Sequence, residues 1–297
     1  MVTFRETAKN IKLVNEKEWK VLETIEKYIG KYERVPIEKI IKATNYSREF
    51  IEESIDKFRE FGWLEKFQQP YDSVRLLTSG VDALALHILA NRDIVVGIGR
   101  QIGVGKESDV YEGITSAGEK VSLKVFRLGR ISFKDVTRKR EYYDASRYKP
   151  NWIIRNYLAA KREYQILKFL YNKGISVPRP LARVKHIIVM EELRGDLLVN
   201  YKDLPNPSEM LNNILREVKK AFDAGIVNGD LSAFNIFITE NYKPILIDWP
   251  QASVQRNGRS KELIIRDVKY IVAYFNKKFN MNVDPYEILS ERFNISI

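Results

Sequence analysis

The sequence predicts an α+β fold in two parts, a small helical N-terminal domain closed by a hairpin and a larger, sheet-then-helix domain. Apolar residues recur at helical spacing from residue 16 to about residue 62, and two short strand-like runs follow. Residues 94–126 alternate apolar and polar side chains around a glycine loop. From residue 157 the pattern is mainly helical, apart from one strand and one hairpin. We therefore predict domains at 1–92 and 93–297.

The composition excludes several kinds of site. The 297 residues contain no cysteine, which excludes disulfides and thiolate metal sites, and two histidines, His87 and His186, are too few for a zinc site. No apolar run is long enough to cross a bilayer and no secretory leader precedes residue 20, so we expect a cytoplasmic protein that does not contact membranes.

The positive charge is unevenly distributed. Residues 1–92 carry sixteen Lys and Arg against fifteen Asp and Glu, so nearly all of the net charge of +11 lies in the C-terminal two-thirds. Such an excess favours an anionic partner, most often nucleic acid. The alternative is a basic surface that only improves solubility.

The N-terminal pattern predicts a winged helix-turn-helix, because three short helices precede a two-stranded hairpin. Its third helix carries five acidic residues against three basic ones, whereas a helix that enters the DNA major groove should be basic. We therefore favour docking to protein or structured RNA over DNA. A further helix, Val81–Asn91, leads to the domain boundary. The predicted elements are a helix over 16–30, Ile37–Ala43, a helix from its cap Ser47 to Gly62, and the strands Trp63–Phe67 and Ser73–Leu77.

A glycine loop opens the larger domain after a short predicted strand, Ile94–Val96. Gly103 and Gly105 allow the backbone to approach phosphate groups closely. Lys124 lies on the third strand, where a lysine bridges the phosphates of a nucleotide in kinase-type sites.

The segment Arg127–Arg155 is strongly basic, with nine Lys and Arg against three acids and with five interleaved aromatic residues. This composition suits a mobile segment that contacts RNA by charge and stacking. A partly helical, solvated loop explains it equally well. In the first interpretation, removal of Arg138, Lys139 and Arg140 should weaken binding to ribosomal RNA and flatten its salt dependence.

Three further helices are predicted in the larger domain, over Tyr157–Asn172, Asn212–Ala224 and Glu262–Phe275. Glu163 on the first lies beside its apolar face, where it would pair with Lys124, although a surface pairing on its own helix is the alternative. Asp267 on the last either bonds to a neighbouring loop backbone or is a surface acid. The strand Ile187–Met190 would lead to a hinge, Glu191–Leu193, whose backbone contacts adenine.

The most informative stretch is Ile226–Gln251. Two apolar runs flank a polar turn and predict a hairpin, Asn235–Ile238 and Pro244–Ile247. Asp230 precedes Asn235 by five residues, and Asp248 follows the second run, which is the order of base and Mg²⁺ ligands in kinase-type phosphoryl transfer. A surface hairpin with incidental acids is the alternative, but the second aspartate and the glycine loop favour a two-lobed protein-kinase-like domain.

Taken together, these residues resemble the RIO family of atypical protein kinases, in particular its second, winged-helix-containing subfamily in the archaeal form without a C-terminal extension. The motifs that carry the resemblance are GVGKESDVY (Gly103–Tyr111), GDLSAFN (Gly229–Asn235) and IDWPQ (Ile247–Gln251). The resemblance implies that Asp230, the catalytic base, and Lys124 are the catalytic residues. It also implies that Asn235 and Asp248 bind Mg²⁺ (or Mn²⁺), and that the domain has a nucleotide site. The implied ATP-binding residues are Gly103, Val104, Gly105, Lys106, Glu107, Ser108, Val110, Lys124, Glu163, Met190, Glu191, Glu192 and Leu193.

The resemblance also implies a serine/threonine kinase or ATPase that acts in maturation of the small ribosomal subunit, bound to ribosomal RNA and proteins. In that subfamily phosphate passes to the metal-binding aspartate, here Asp248. Two other functions stay open: a small-molecule kinase of the aminoglycoside or choline type, and a non-catalytic scaffold that holds nucleotide.

The chain departs from ordinary kinases at three points. Asn228 replaces the histidine that usually precedes Gly-Asp in this loop. Because the role of that histidine is mainly structural, we expect little loss of activity. Trp249-Pro250 replaces Phe-Gly, and proline should stiffen that loop. Twelve residues separate Asp248 from Lys261, too few for a peptide-docking segment, which argues against phosphorylation of an extended peptide.

Overall fold

The structure is a computed structural model that describes residues 2–128, 152–254 and 259–295. Its contacts divide the chain into two compact units, one of Met1–Lys161 with Ala182–Val189 and one of Arg162–Leu181 with Met190–Ile297. The predicted domain boundary after residue 92 lies within the first of these units, and it stays a prediction. Within the described residues, no helix is both long and apolar enough to span a membrane.

The first unit begins with the winged helix. Its hairpin extends into a three-stranded antiparallel sheet in the order β1-β3-β2. The Ser47 hydroxyl accepts a hydrogen bond from the Phe50 backbone N–H at 3.2 Å, which confirms the predicted cap of α4. The elements are α1 (Phe4–Asn10), α2 (Glu16–Tyr28), β1 (Val35–Pro36), α3 (Ile37–Thr44), α4 (Arg48–Glu60), β2 (Leu64–Phe67), β3 (Ser73–Leu76) and α5 (Thr78–Asn91).

Aromatic rings form the centre of the winged-helix core. Trp63 is fully buried, and its ring stacks on Phe58 at 5.7 Å and on Trp19 at 5.8 Å between centroids. The half-buried ring of His87 stacks on the Trp19 ring, with 3.9 Å between their centroids. His87 therefore packs against the edge of this core.

An antiparallel sheet in the order β4-β5-β6-β8-β7 follows. The predicted strand Ile94–Val96 is wrong, because the backbone N–H groups of Ile94 and Val95 donate to the carbonyl of Leu89 and so close the end of α5. The strands are β4 (Gly97–Val104), β5 (Ser108–Ile114), β6 (Lys120–Phe126), β7 (Pro180–Val184) and β8 (Ile187–Glu191), and the helix α6 (Trp152–Asn172) lies between β6 and β7 in the chain.

The second unit contains the predicted hairpin, with Ile236 opposite Leu246 in antiparallel register. β9 pairs with the other edge of β11, which gives a three-stranded sheet in the order β12-β11-β9. β10 and β13 form a separate two-stranded sheet. The elements are β9 (Gly195–Leu197), α7 (Pro207–Asp223), β10 (Ile226–Val227), β11 (Ile236–Thr239), β12 (Pro244–Leu246), β13 (Ser253–Val254), α8 (Arg259–Phe279) and α9 (Pro285–Phe293), with single 3₁₀ turns at Leu198–Asn200 and Ala233–Asn235.

Helix starts are the main correction to the predicted boundaries. α7 begins at Pro207 rather than Asn212, because the Asn206 side chain accepts a hydrogen bond from the Glu209 N–H at 3.1 Å and proline fits the first helical position. α6 likewise begins at Trp152 rather than Tyr157, and α8 at Arg259 rather than Glu262. The first turns of α7 and α8 are mainly polar, which conceals these two starts from a search for apolar periodicity.

The predicted RNA-binding segment, 127–155, lies mostly outside the described residues, including Arg138, Lys139 and Arg140. Its first residue is described, and the prediction is wrong there. Arg127 is 8% exposed and bonds to Asp82, so its charge is not available to RNA.

Replacing Trp63 with alanine should lower the free energy of unfolding by about 3–5 kcal/mol, because the cavity cannot be filled by the surrounding rings. Chemical denaturation monitored by circular dichroism measures the change. Tyr71→Ala is the matched control, since Tyr71 lies in the same domain and is 48% exposed. Equal losses for the two variants would contradict an aromatic core centred on Trp63.

Candidate active site

The loop that carries Asp230 is fixed by a buried carboxylate. Asp267 on α8 is 1% exposed and accepts hydrogen bonds from the backbone N–H groups of Gly229 at 2.7 Å and Leu231 at 3.4 Å. Gly229 has φ = +75°, and a Cβ there would lie 3.1 Å from the Gln251 carbonyl oxygen. Of the two predicted roles for Asp267, the structure thus shows the bond to the loop backbone.

Burial raises the pKa of Asp267 to about 6. The N–H groups of Gly229 and Leu231 and the charge of Arg266 act in the opposite direction, while the nearby Asp230 raises it further. Arg266 also donates to the Gly229 carbonyl. At neutral pH the carboxylate is therefore ionised, the form that accepts both loop N–H groups best.

Asn228 joins the backbone at Asp230, the predicted base, to the backbone at Asp248, a predicted metal ligand. Its Nδ2 donates to the carbonyl oxygen of Asp248 at 3.0 Å, and its Oδ1 accepts from the N–H of Asp230 at 3.0 Å. Asn228 is buried, so both bonds are shielded from water. The sequence indicated only that a structural histidine was replaced, and the structure shows what the asparagine does in its place.

Asn235 is held by the same loop. Its Nδ2 donates to the carbonyl oxygen of Asp230 at 2.8 Å, so the side-chain oxygen is the atom with which this amide would bind a cation. The Ile247 N–H donates to the Asn235 carbonyl at 2.9 Å, which sets Asp248 one residue further on. Asp248 itself adopts φ = +65°.

The segment after Asp248 is anchored to α6. Glu163 is buried, and its Oε1 accepts a long hydrogen bond, 3.4 Å, from the Trp249 N–H. Arg162 donates to the carbonyl of Ala252 at 2.7 Å. The Trp249 ring is buried too, and its Nε1 donates to the Leu246 carbonyl at 3.0 Å. Lys124 belongs to the other compact unit, and its pairing with Glu163 stays a prediction.

The predicted hinge begins at the end of β8. The Glu191 N–H donates to the Arg179 carbonyl at 3.1 Å, and the Glu191 carboxylate accepts from the Arg179 N–H at 2.8 Å. Met190 is buried, whereas Glu192 and Leu193 are partly exposed beyond the strand. The role of these residues in adenine binding stays a prediction.

The glycine loop joins β4 to β5 in the first unit. The Gly105 N–H donates to the Ser108 carbonyl at 2.8 Å, and a Cβ on Gly105 would lie 3.0 Å from the same oxygen. A side chain at this position would therefore crowd the turn. Lys124 lies on β6, the third strand of this sheet, opposite Val110, and is buried. The predicted site residues therefore fall into two groups, one in each compact unit.

Sequence reasoning missed one buried group in the first unit, which consists of Asp82, Arg127 and His186. The available signal was Asp82, a single acid within the apolar stretch Val81–Leu86. A charged residue inside such a stretch is rarely left unpaired.

Comparison with known proteins identifies the family. The family model of the RIO domain matches residues 109–288, and that of the Rio2 N-terminal domain matches residues 11–92. The chain belongs to the RIO family. Among its relatives, the RIO-type serine/threonine-protein kinase Rio2 of Methanocaldococcus jannaschii is 32% identical over 262 residues, which are 86% of this chain and 95% of the relative.

Two eukaryotic relatives are matched over only part of their own length. Serine/threonine-protein kinase RIO2 of Saccharomyces cerevisiae is 31% identical over 90% of this chain but 65% of its own length, and rio2 of Dictyostelium discoideum is 32% identical over 92% of this chain and 52% of its own length. This RIO chain therefore spans between half and two-thirds of these two relatives.

A solved structure of the Rio2 kinase–ADP/Mg²⁺–phosphoaspartate complex from Chaetomium thermophilum is similar to this chain, with a TM-score of 0.81 and 30% sequence identity. The match covers 93% of this chain and 84% of that one. Together with the Rio2 N-terminal match, it confirms the predicted fold class, a winged helix-turn-helix followed by a kinase-like domain.

Asp267 should make stability depend on pH. Its folded-state pKa of about 6 exceeds the ordinary value of 3.8, so its contribution is fully present below the ordinary value and is lost as the pH rises through 6. At about 1.4 kcal/mol per pKa unit, the free energy of unfolding should fall by up to about 3 kcal/mol between pH 4 and pH 7 relative to Asp267→Asn. Urea denaturation of both proteins across this range measures the difference.

The exposed Asp203 supplies the control, because Asp203→Asn should give a curve parallel to that of the unchanged protein. If Asp267→Asn also ran parallel, the raised pKa of Asp267 would be wrong.

Proposed function

We propose that this chain binds ATP with Mg²⁺ and catalyses transfer of the γ-phosphoryl group, as an RIO-type kinase. The observation that carries the proposal is the linkage of Asp230, Asn235 and Asp248 in the second unit. The Asn228 side chain connects the backbones of the two aspartates, and Asn235 bonds to the Asp230 carbonyl. Support also comes from relatives named as serine/threonine-protein kinases and from a similar structure with ADP and Mg²⁺.

The donor set fits Mg²⁺. Asn235 and Asp248 offer an amide oxygen and a carboxylate, the hard oxygen ligands that this ion prefers. The described part of the chain contains no cluster of three or more His, Asp or Glu residues suited to a metal. That agrees with an ion held by few protein oxygens and otherwise by nucleotide phosphates, where it would neutralise the charge that develops on them.

The remaining roles are those that the resemblance to RIO kinases implies. Asp230 would act as general base, and Lys124, held extended by Glu163, would bridge the phosphates. The loop Gly103–Ser108 and Val110 would bind the phosphate end of the nucleotide, and the backbone of Met190–Leu193 would contact adenine. Mn²⁺ is the alternative metal.

The proposed phosphoryl acceptor is Asp248. A carboxylate oxygen of Asp248 forms the new P–O bond, the bond between the γ-phosphorus and the bridging oxygen breaks, and ADP leaves. The carboxylate gives up no proton in this step, so the general base Asp230 would act in the next one, on the water that attacks the acyl phosphate. Hydrolysis of the acyl phosphate then releases inorganic phosphate, so the net reaction is ATP hydrolysis. The similar structure is itself described as a phosphoaspartate complex.

The proposed setting is maturation of the small ribosomal subunit in the cytoplasm, with ribosomal RNA and proteins as partners. The net charge of +11, concentrated outside the winged helix, supports an anionic partner of this kind. The net acidic α4 argues against DNA.

The decisive experiment incubates the protein with γ-labelled ATP and Mg²⁺ and then treats labelled protein with hydroxylamine, which cleaves acyl phosphates. We expect label that hydroxylamine removes, that Asp248→Asn lacks, and that Asp203→Asn retains. Asp230→Ala should slow turnover by a factor of about 10²–10⁴, the usual contribution of a general base.

The other outcomes separate the competing functions. Label that resists hydroxylamine would indicate a serine or threonine ester and an ordinary protein kinase. Phosphorylation of an added small alcohol would indicate a small-molecule kinase. Normal turnover in Asp230→Ala, or none in the unchanged protein, would contradict the proposed site.

Asn235→Ala should raise the Mg²⁺ concentration needed for half-maximal turnover by roughly tenfold or more, because one of two protein oxygens is lost. Titration of Mg²⁺ at saturating ATP measures this change. Asn172→Ala is the matched control, since Asn172 is an exposed asparagine at the end of α6. An unchanged Mg²⁺ requirement in Asn235→Ala would remove Asn235 from the metal site.

A further inference from the structure

A buried ion pair connects the winged helix to the sheet that carries the glycine loop. Arg127, directly after β6, donates from Nη1 and Nη2 to the two carboxylate oxygens of Asp82 on α5, at 2.6 and 2.8 Å. The two side chains are 7% and 5% exposed. Arg127 Nε lies 3.4 Å from Oδ2 of Asp109, which is fully buried on β5. The planar guanidinium thus meets carboxylates on both of its edges.

His186 completes this group from the turn between β7 and β8. Its Nε2 lies 2.8 Å from Oδ1 of Asp82. Burial lowers the pKa of His186, so the ring is neutral and we assign the Nε2 proton as the donor to Asp82. Burial also opposes ionisation of Asp82, but the charge of Arg127 and the bond from His186 hold its pKa below the ordinary value.

The backbone of Arg127 reaches the glycine loop. Its N–H donates to the carbonyl oxygen of Glu107 at 2.6 Å, in the turn between β4 and β5. The neighbouring residues are held by other elements, since Phe126 N–H donates to the His186 carbonyl at 3.0 Å and Leu128 N–H to Oδ1 of Asn156 at 2.8 Å. Arg127 therefore links the two: its guanidinium bonds to Asp82 of the winged helix, and its backbone N–H bonds to the Glu107 carbonyl of the glycine loop.

The position of Arg127 depends on its counter-ion. A guanidinium cannot lose its proton in a protein and is strongly destabilised when it is buried without an acceptor. If Asp82 lost its charge, only the more distant of the two carboxylates described here, Asp109, would still pair with the Arg127 guanidinium. The Arg127 side chain would then move toward water, and this movement would pull the Arg127 N–H away from the Glu107 carbonyl. The loop would then lose a bond that defines its conformation.

We propose that Asp82 and Arg127 are positioning residues of the phosphate-binding loop, so that the winged helix contributes an acid required for the loop's nucleotide-competent shape. The proposal rests on the proposed function in so far as the loop binds ATP. Both residues act through the backbone of the loop. Their effect is on the affinity for ATP rather than on the chemical step.

The chain offers a matched control for the central variant, Asp82→Asn. Glu26 on α2 also pairs with a residue of the β7–β8 turn, Lys185, with Nζ–Oε distances of 2.6 and 2.7 Å, and it too is largely buried. Glu26→Gln removes a winged-helix carboxylate from the same region without touching the glycine loop. General destabilisation should therefore affect both variants.

Asp82→Asn should raise the KM for ATP by roughly tenfold, as expected when a supporting contact of a binding loop is lost, and should leave kcat at saturating ATP unchanged. Glu26→Gln should leave both constants unchanged. A fall in kcat with no change in KM for Asp82→Asn, or an equal rise in KM for the two variants, would overturn the proposal.

Hydrogen exchange without nucleotide separates this proposal from the proposed function. The amides of Gly105 and Arg127 should exchange faster in Asp82→Asn than in the unchanged chain and in Glu26→Gln. This result would support the positioning role even if the protein turned over no ATP. Equal exchange in all three proteins would refute it. Should Asp82→Asn fail to fold, Arg127→Lys keeps the charge and the backbone N–H but not the two-pronged contact, and the same comparisons apply.

Discussion

The geometry of the second unit depends on how the backbone N–H groups of a tight, buried loop find acceptors. Gly229 and Leu231 point theirs at one carboxylate, Asp267, on a helix that starts thirty residues after the loop begins. Because unpaired buried N–H groups are costly, this single side chain restricts the loop to few conformations. Asn228 lies next to this loop in the chain, and its side chain donates a hydrogen bond to the carbonyl of Asp248, so the backbone at Asp248 is held as well.

The glycine loop of the first unit is supported in the same way. Each loop is supported by a buried acid outside the sequence motif, Asp82 in one unit and Asp267 in the other. Asp267 bonds to its loop directly, whereas Asp82 acts through Arg127. The residues of the motifs are therefore only part of what determines the shape of the two loops.

The sequence predicts those features that have a local pattern. The β11–β12 hairpin, the cap at Ser47 and the place of Lys124 on the third strand follow from periodicity and spacing, and the structure has all three. The contacts of Asn228, and of Glu163 with Trp249, could not be predicted, because they join residues 20 and 86 positions apart. Arg127 was misjudged for a related reason: it belongs by composition to a basic segment, but its distant partner Asp82 makes it part of the core.

The left-handed backbone of Asp248 limits how this position can vary. Only glycine, asparagine and aspartate adopt such a conformation readily, so alanine or a branched residue would distort the chain between β12 and Trp249 as well as remove the carboxylate. Asparagine alone removes the charge while preserving both the backbone and the side-chain volume. A substitution at this position therefore changes the shape of the chain as well as its chemistry, and a glutamate with the same charge would not be an equivalent replacement.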